Sequence, residues 1–92
     1  MYHIQPYTLQ KAKQQRVRVR PSTNRHKKLD VYDRTDKKIA SVGYRGMMDY
    51  PTYVRRKGLD YAKTRRRLYY KRHSNDGKTK GTNGWWAKKL LW

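Results

Sequence analysis

Asp30, Asp33 and Asp36 stand at intervals of three, and carboxylates gathered that closely are able to hold a magnesium ion for phosphodiester cleavage. Their setting argues for a simpler duty. Asp33-Arg34-Thr35-Asp36 is the residue mix of a tight turn, in which such side chains accept from nearby backbone N–H groups, and local charge balance accounts for the rest. His3, His26 and His73 are scattered, with no partner at metal-ligand spacing. There is no phosphate-cradling glycine loop, nucleophile elbow or cysteine nucleophile. These features predict a protein that is not an enzyme, takes no small-molecule substrate, and holds neither metal nor cofactor.

A different chemistry is written in Arg65-Arg66-Arg67-Leu68-Tyr69-Tyr70-Lys71-Arg72-His73. Guanidinium forks match phosphate oxygens in pairs, and tyrosine rings stack on bases or on the guanidinium planes themselves. A charge run is usually a solvated helix face, but the chain carries 25 Lys and Arg against 6 Asp and no Glu, a net charge of +19 in 92 residues. Such a chain repels itself when alone, whereas a phosphate backbone neutralises it and releases condensed counterions. Arg16, Arg18, Arg20, Arg25, His26, Lys27 and Lys28 form a second basic strip, which reads equally well as phosphate contact or as a sheet edge guarded by charge. The side chains expected to meet nucleic acid are thus Arg16, Arg18, Arg20, Arg25, Lys27, Lys28, Lys63, Arg65, Arg66, Arg67, Lys71 and Arg72. The basic helix lacks Asn, Gln and Glu to read base edges, so contact with the backbone, most simply of double-stranded DNA, is predicted to ignore sequence.

The elements that must position these groups follow from periodicity and punctuation. Residues 1–15 read as an N-terminal arm with a short helix over Leu9–Gln15 capped by Thr8. Val17 and Val19 alternate with Arg16, Arg18 and Arg20, the period of a strand with valines inward. After the polar connection Ser22–His26, Leu29–Tyr32, the Asp33–Asp36 turn and Ile39–Val42 ending at Gly43 form a hairpin. Asp49 before Tyr50-Pro51 starts a helix over Tyr50–Lys57 stopped by Gly58, and a second helix runs over Leu59–His73. In the latter, Tyr61 with Leu68 and Ala62 with Tyr69 lie seven apart and form one narrow packing stripe. The predicted fold class is α+β, a small three-stranded antiparallel meander followed by two or three short helices. Residues 16–73 form the basic α+β domain, 74–84 a flexible loop and 85–92 an aromatic C-terminal docking segment.

In that segment Asn83 caps a last helical turn or two, with Trp86 and Leu90 on one face. Trp85, Trp86, Leu90, Leu91 and Trp92 either close a thin core or dock onto another protein, and docking is the assignment made. Asp49-Tyr50-Pro51-Thr52-Tyr53 is taken as a helix cap with packed tyrosines rather than a recognition motif. Nine Tyr and three Trp are too many aromatics for a chain that never folds. Without cysteine there is neither disulfide nor thiolate metal site, which fits an intracellular setting. No apolar run reaches the roughly 20 residues of a membrane span, and no apolar leader opens the chain.

Taken in order, Pro21-Ser22-Thr23-Asn24, Lys27 to Tyr32, Lys37 to Gly43, Asp49 to Tyr53, Arg65 to Tyr69 with Arg72-His73, and Gly84-Trp85-Trp86-Ala87 with Leu91-Trp92 make up a pattern. It resembles a family of small basic uncharacterised proteins encoded by giant nucleocytoplasmic large DNA viruses and related viruses, over residues 12–92. The resemblance implies a viral structural protein, a minor capsid or internal virion protein lying in the capsid or virion interior, and in host cytoplasm or nucleus during assembly. Its expected partners are nucleic acid and other virion or capsid proteins. Members of that family often carry an acidic residue where this chain has Tyr44 and are less arginine-rich, which implies a more strongly anionic partner here or a different docking surface. A ribosomal-protein-like RNA binder is the alternative, set back by the tail, whose tryptophans suit a protein pocket better than an RNA groove.

Overall fold

The computed structural model describes residues 2–75 and 78–92. Seven elements follow one another: α1 (Pro6–Gln14), β1 (Arg18–Pro21), β2 (Lys27–Tyr32), β3 (Lys38–Tyr44), α2 (Tyr50–Lys57), α3 (Leu59–Arg72) and α4 (Asn83–Leu91). The strands form an antiparallel meander in the order β1-β2-β3, so the α+β expectation holds, with one helix before the sheet and three after it.

Alternation sets the sheet's two faces. Val19 lies opposite Val31, Leu29 opposite Val42 and Val31 opposite Ala40, which gathers one apolar row across the strands. Leu29, Val31 and Val42 are buried in the core with Ala12, Ala62, Trp86, Leu90, Leu91 and Trp92. Gly43 sits at φ +81°, and a Cβ there would come within 2.8 Å of Leu91 Cδ1, so glycine is needed for both backbone and space where α4 lies on β3.

The helix starts are chemically distinct. Asp49 Oδ1 accepts from the Thr52 N–H at 3.1 Å, with Pro51 in the first turn, so the capping reading of this segment holds. Tyr50 and Tyr53 are buried as that reading expects. In α3 the inward stripe is carried by Ala62 and Tyr69, whereas Tyr61 is about half exposed.

Three boundary expectations change. Helix α1 begins at Pro6, because proline suits the first turn, and Thr8 is therefore buried inside the helix rather than capping it. The segment read as an arm packs on β1 and α4 and belongs to the core; Met1 lies outside the described residues. Arg16 is not on the strand but in the turn after α1, at φ 59°. A Cα radius of gyration of 12.6 Å matches the roughly 12 Å expected for a compact domain of this length.

The C-terminal segment departs furthest from expectation. Thr82, not Asn83, caps α4, its hydroxyl accepting from the Trp85 N–H at 3.3 Å, and the helix runs for nine residues. Trp86, Leu90, Leu91 and Trp92 are all under 9% exposed and Trp85 packs against them, so the docking face is filled by the chain's own sheet and helices. The reason is local: β2 and β3 offer an apolar row that α1, α2 and α3 leave uncovered, and each large side chain buried there contributes about 1.5–3 kcal/mol. Of the 74–84 loop, Asp76 and Gly77 lie outside the described residues, and Thr79–Thr82 forms a turn leading into α4.

Candidate nucleic-acid interface

A helix turns about 100° per residue, so consecutive arginines cannot share a face. Arg65 lies over the Tyr53 ring at 5.4 Å, Arg66 over the Tyr50 ring at 4.2 Å, and Arg67 projects into solvent. Lys63, Lys71 and Arg72 are exposed. The run that looked like one patch is therefore a basic collar around three sides of α3.

The second strip is divided more sharply. Arg18 is exposed and ion-paired with Asp36. Arg20 lies 5.1 Å over the Tyr32 ring, Arg25 is exposed on the β1–β2 connection and Lys27 is half-buried. Lys28 must be withdrawn from the contact set: it is 4% exposed, and its Nζ donates to Asp49 Oδ2 at 2.9 Å. A strand alternates its faces, and the face opposite the valines is here covered by the segment around Tyr2 and Asp49, so Lys28 points into protein rather than water.

The aspartates are committed separately. Burial would raise the Asp30 carboxyl, but hydroxyl donors from Ser22 and Ser41, the Thr23 N–H and nearby Lys38 outweigh it and hold it below the usual range. Asp33 is lowered by the Thr35 hydroxyl and the Lys37 and Thr35 N–H groups, which is the expected turn chemistry. Burial likewise opposes ionisation of Asp49, and Lys28, the Thr52 N–H and the Tyr2 hydroxyl overcome it. Each carboxylate faces a different set of donors, and no group of three metal-ligating side chains forms among the described residues.

What orients the cations is aromatic. Among the described residues three ion pairs form, one of them buried, whereas Arg20, Arg65 and Arg66 each lie on a tyrosine ring. A ring quadrupole steadies a guanidinium without cancelling its charge, leaving N–H groups at its edge to meet phosphate. The sequence suggested that Tyr69 and Tyr70, inside the run, take this role; the rings under the guanidiniums are instead Tyr32, Tyr50 and Tyr53, which lie outside it, while Tyr69 stacks on Trp92.

Between β2, β3, α3 and α4 lies a cleft of about 350 Å³. It brings together Arg65 and Arg72 from the α3 run and Lys27 from the second strip, with Tyr44, Met47 and Tyr69 among its walls and no aspartate among its described lining residues. Tyr69 stacks on Trp92 with ring centroids 4.2 Å apart and planes 7° from parallel. A neighbouring basic hollow holds His3, Arg45, Arg55 and Arg56, which sequence reasoning missed. Its signal was the three basic residues closing α2. Among the described residues no helix is long and apolar enough to cross a membrane. Comparison of the chain with protein-family models, curated proteins and solved structures finds no match.

Proposed function

We propose that this chain is a non-enzymatic structural protein that binds the phosphate backbone of nucleic acid without sequence specificity, as a minor capsid or internal component of a large DNA virus particle. One observation carries the binding half: arginines steadied by tyrosine rings, instead of neutralised by carboxylates, on a chain of net charge +19. The particle half rests on the resemblance of its residues to the giant-virus family. The test is fluorescence anisotropy with two duplexes of equal length and unrelated sequence across a salt series. With about five phosphates contacted, log affinity falls against log salt with a slope of about −4 or steeper, equally for both. A flat response sinks the proposal, and absence of the chain from purified particles sinks its second half.

The RNA-binding alternative gains from one feature. Its weakness was a tail costly to expose, and that tail is inside the fold. A structured RNA included in the same titration separates the two readings.

A further inference from the structure

We infer that the cleft between β2, β3, α3 and α4 receives a single unpaired nucleotide, its base held between the apolar walls and its phosphate at the basic rim. This rests on the backbone-binding proposal and adds a second mode to it.

A solvated phosphate contact needs only projecting cations, and Arg67 and Lys71 supply those on open helix surface. The cleft is built otherwise. Tyr44 is 62% and Met47 58% exposed at its mouth, large apolar side chains left facing water beside Lys27 and Arg72. Its volume lies at the lower end of the roughly 300–1,000 Å³ typical of ligand sites. A planar apolar ring carrying a dianionic or monoanionic group at one side is the ligand that fits both halves of this lining, and base stacking on such side chains tolerates any sequence. Duplex bases are already stacked and hidden, so the cleft selects ends, gaps and single strands.

The experiment compares, at one salt concentration, a blunt duplex, a thymidine single strand, and a single strand of equal phosphate number in which abasic units replace the thymidines. Base insertion makes the thymidine strand bind at least about fivefold tighter than the abasic one. Ala87 lines the cleft from α4, and Ala87→Leu fills it without touching the rim charge; this variant abolishes the preference and leaves blunt-duplex affinity and salt slope unchanged. If Ala87→Leu does not fold, the Tyr44→Ala/Met47→Ser double variant at the exposed mouth is read in its place, with the same expectation. Equal affinity of wild type for the two single strands overturns the inference even where duplex binding is strong, and would leave the cleft to a peptide side chain. A preference that survives both sets of substitutions also overturns it. Loss of salt-dependent duplex binding in wild type instead overturns the backbone proposal.

Discussion

Lys28 Nζ donates to Asp49 Oδ2 at 2.9 Å, with both side chains buried, joining the central strand to the residue that caps α2. The Tyr2 hydroxyl donates to the same oxygen at 2.6 Å, so three distant segments meet at one carboxylate. Removing one partner of a buried pair strands the other charge. Lys28→Met is therefore expected to cost about 3 kcal/mol or more by urea unfolding, a large share of a small domain's stability. Where the variant remains folded, its duplex affinity should stay within about twofold of wild type, because the lost charge did not face solvent. A several-fold loss of affinity in the folded variant would restore Lys28 to the contact set.

The same carboxylate sets the response to acid. Asp49 and Asp30 are both held below the ordinary aspartate value in the folded chain, so the folded state binds fewer protons than the unfolded one. Their contribution is complete above the unfolded pKa, about 3.9, and is lost as pH falls through the folded values. Circular dichroism should show stability level from neutrality to about pH 5 and declining steeply below about pH 4. Asp49→Asn should lower stability at pH 7 while flattening that decline; an unchanged acid profile would mean that Asp49 is not the group titrating.

Arg65, Arg66 and Arg67 should separate when replaced one at a time. Arg67→Gln, at an exposed position, is expected to weaken binding equally for all sequences and to reduce the salt slope by about 1, with unfolding unaffected. Arg66→Gln removes a guanidinium from the Tyr50 ring and should cost about 0.5–1 kcal/mol of stability besides. Identical behaviour of the two variants in both measurements would contradict the splayed arrangement.

In the tail, Leu90 is fully buried, and Leu90→Ala should lower stability by about 2–5 kcal/mol. If this substitution instead leaves the fold intact and abolishes incorporation into an assembly, the residue belongs to an interface and not to the core.

Thr8 Oγ1 is buried with no hydrogen-bond partner among the described residues. Thr8→Val keeps the shape, has similar helix propensity and removes the stranded hydroxyl, so thermal unfolding should show a gain of about 1 kcal/mol. A loss of stability would point to a donor or acceptor that the hydroxyl does find.

Local rules carried much of the architecture. The Asp33 turn and the Asp49-Tyr50-Pro51 start depend on neighbours within four residues and are found in place, and the valine-arginine alternation holds from Arg18 to Arg20, the strand starting after Val17, which belongs to the turn closing α1. What they could not carry is partnership across the chain. Lys28 looked like its basic neighbours because the carboxylate that buries it stands 21 positions away. Trp86 and Leu90 were legible as a packing face, but the same pattern serves one's own sheet or another protein's pocket, and only topology decides. Adjacency misled for the arginines, where neighbours in sequence point 100° apart.

The Tyr7 hydroxyl donates to the Trp92 carbonyl at 3.0 Å across 85 positions, and α1 lies on α4. A chain emerging from a ribosome at about 5–20 residues per second displays α1 and its three strands before Leu90, Leu91 and Trp92 exist to fill the space beneath them. Until then folding has no closing piece, and the nearest phosphate-rich surface is ribosomal RNA. Translation intermediates halted before residue 83 should accordingly stay protease-sensitive and attached to ribosomes until salt releases them, whereas chains that include α4 leave as a folded body. On the proposed backbone binding, synthesis itself becomes a contest between self-assembly and capture by polyanion, settled when α4 arrives.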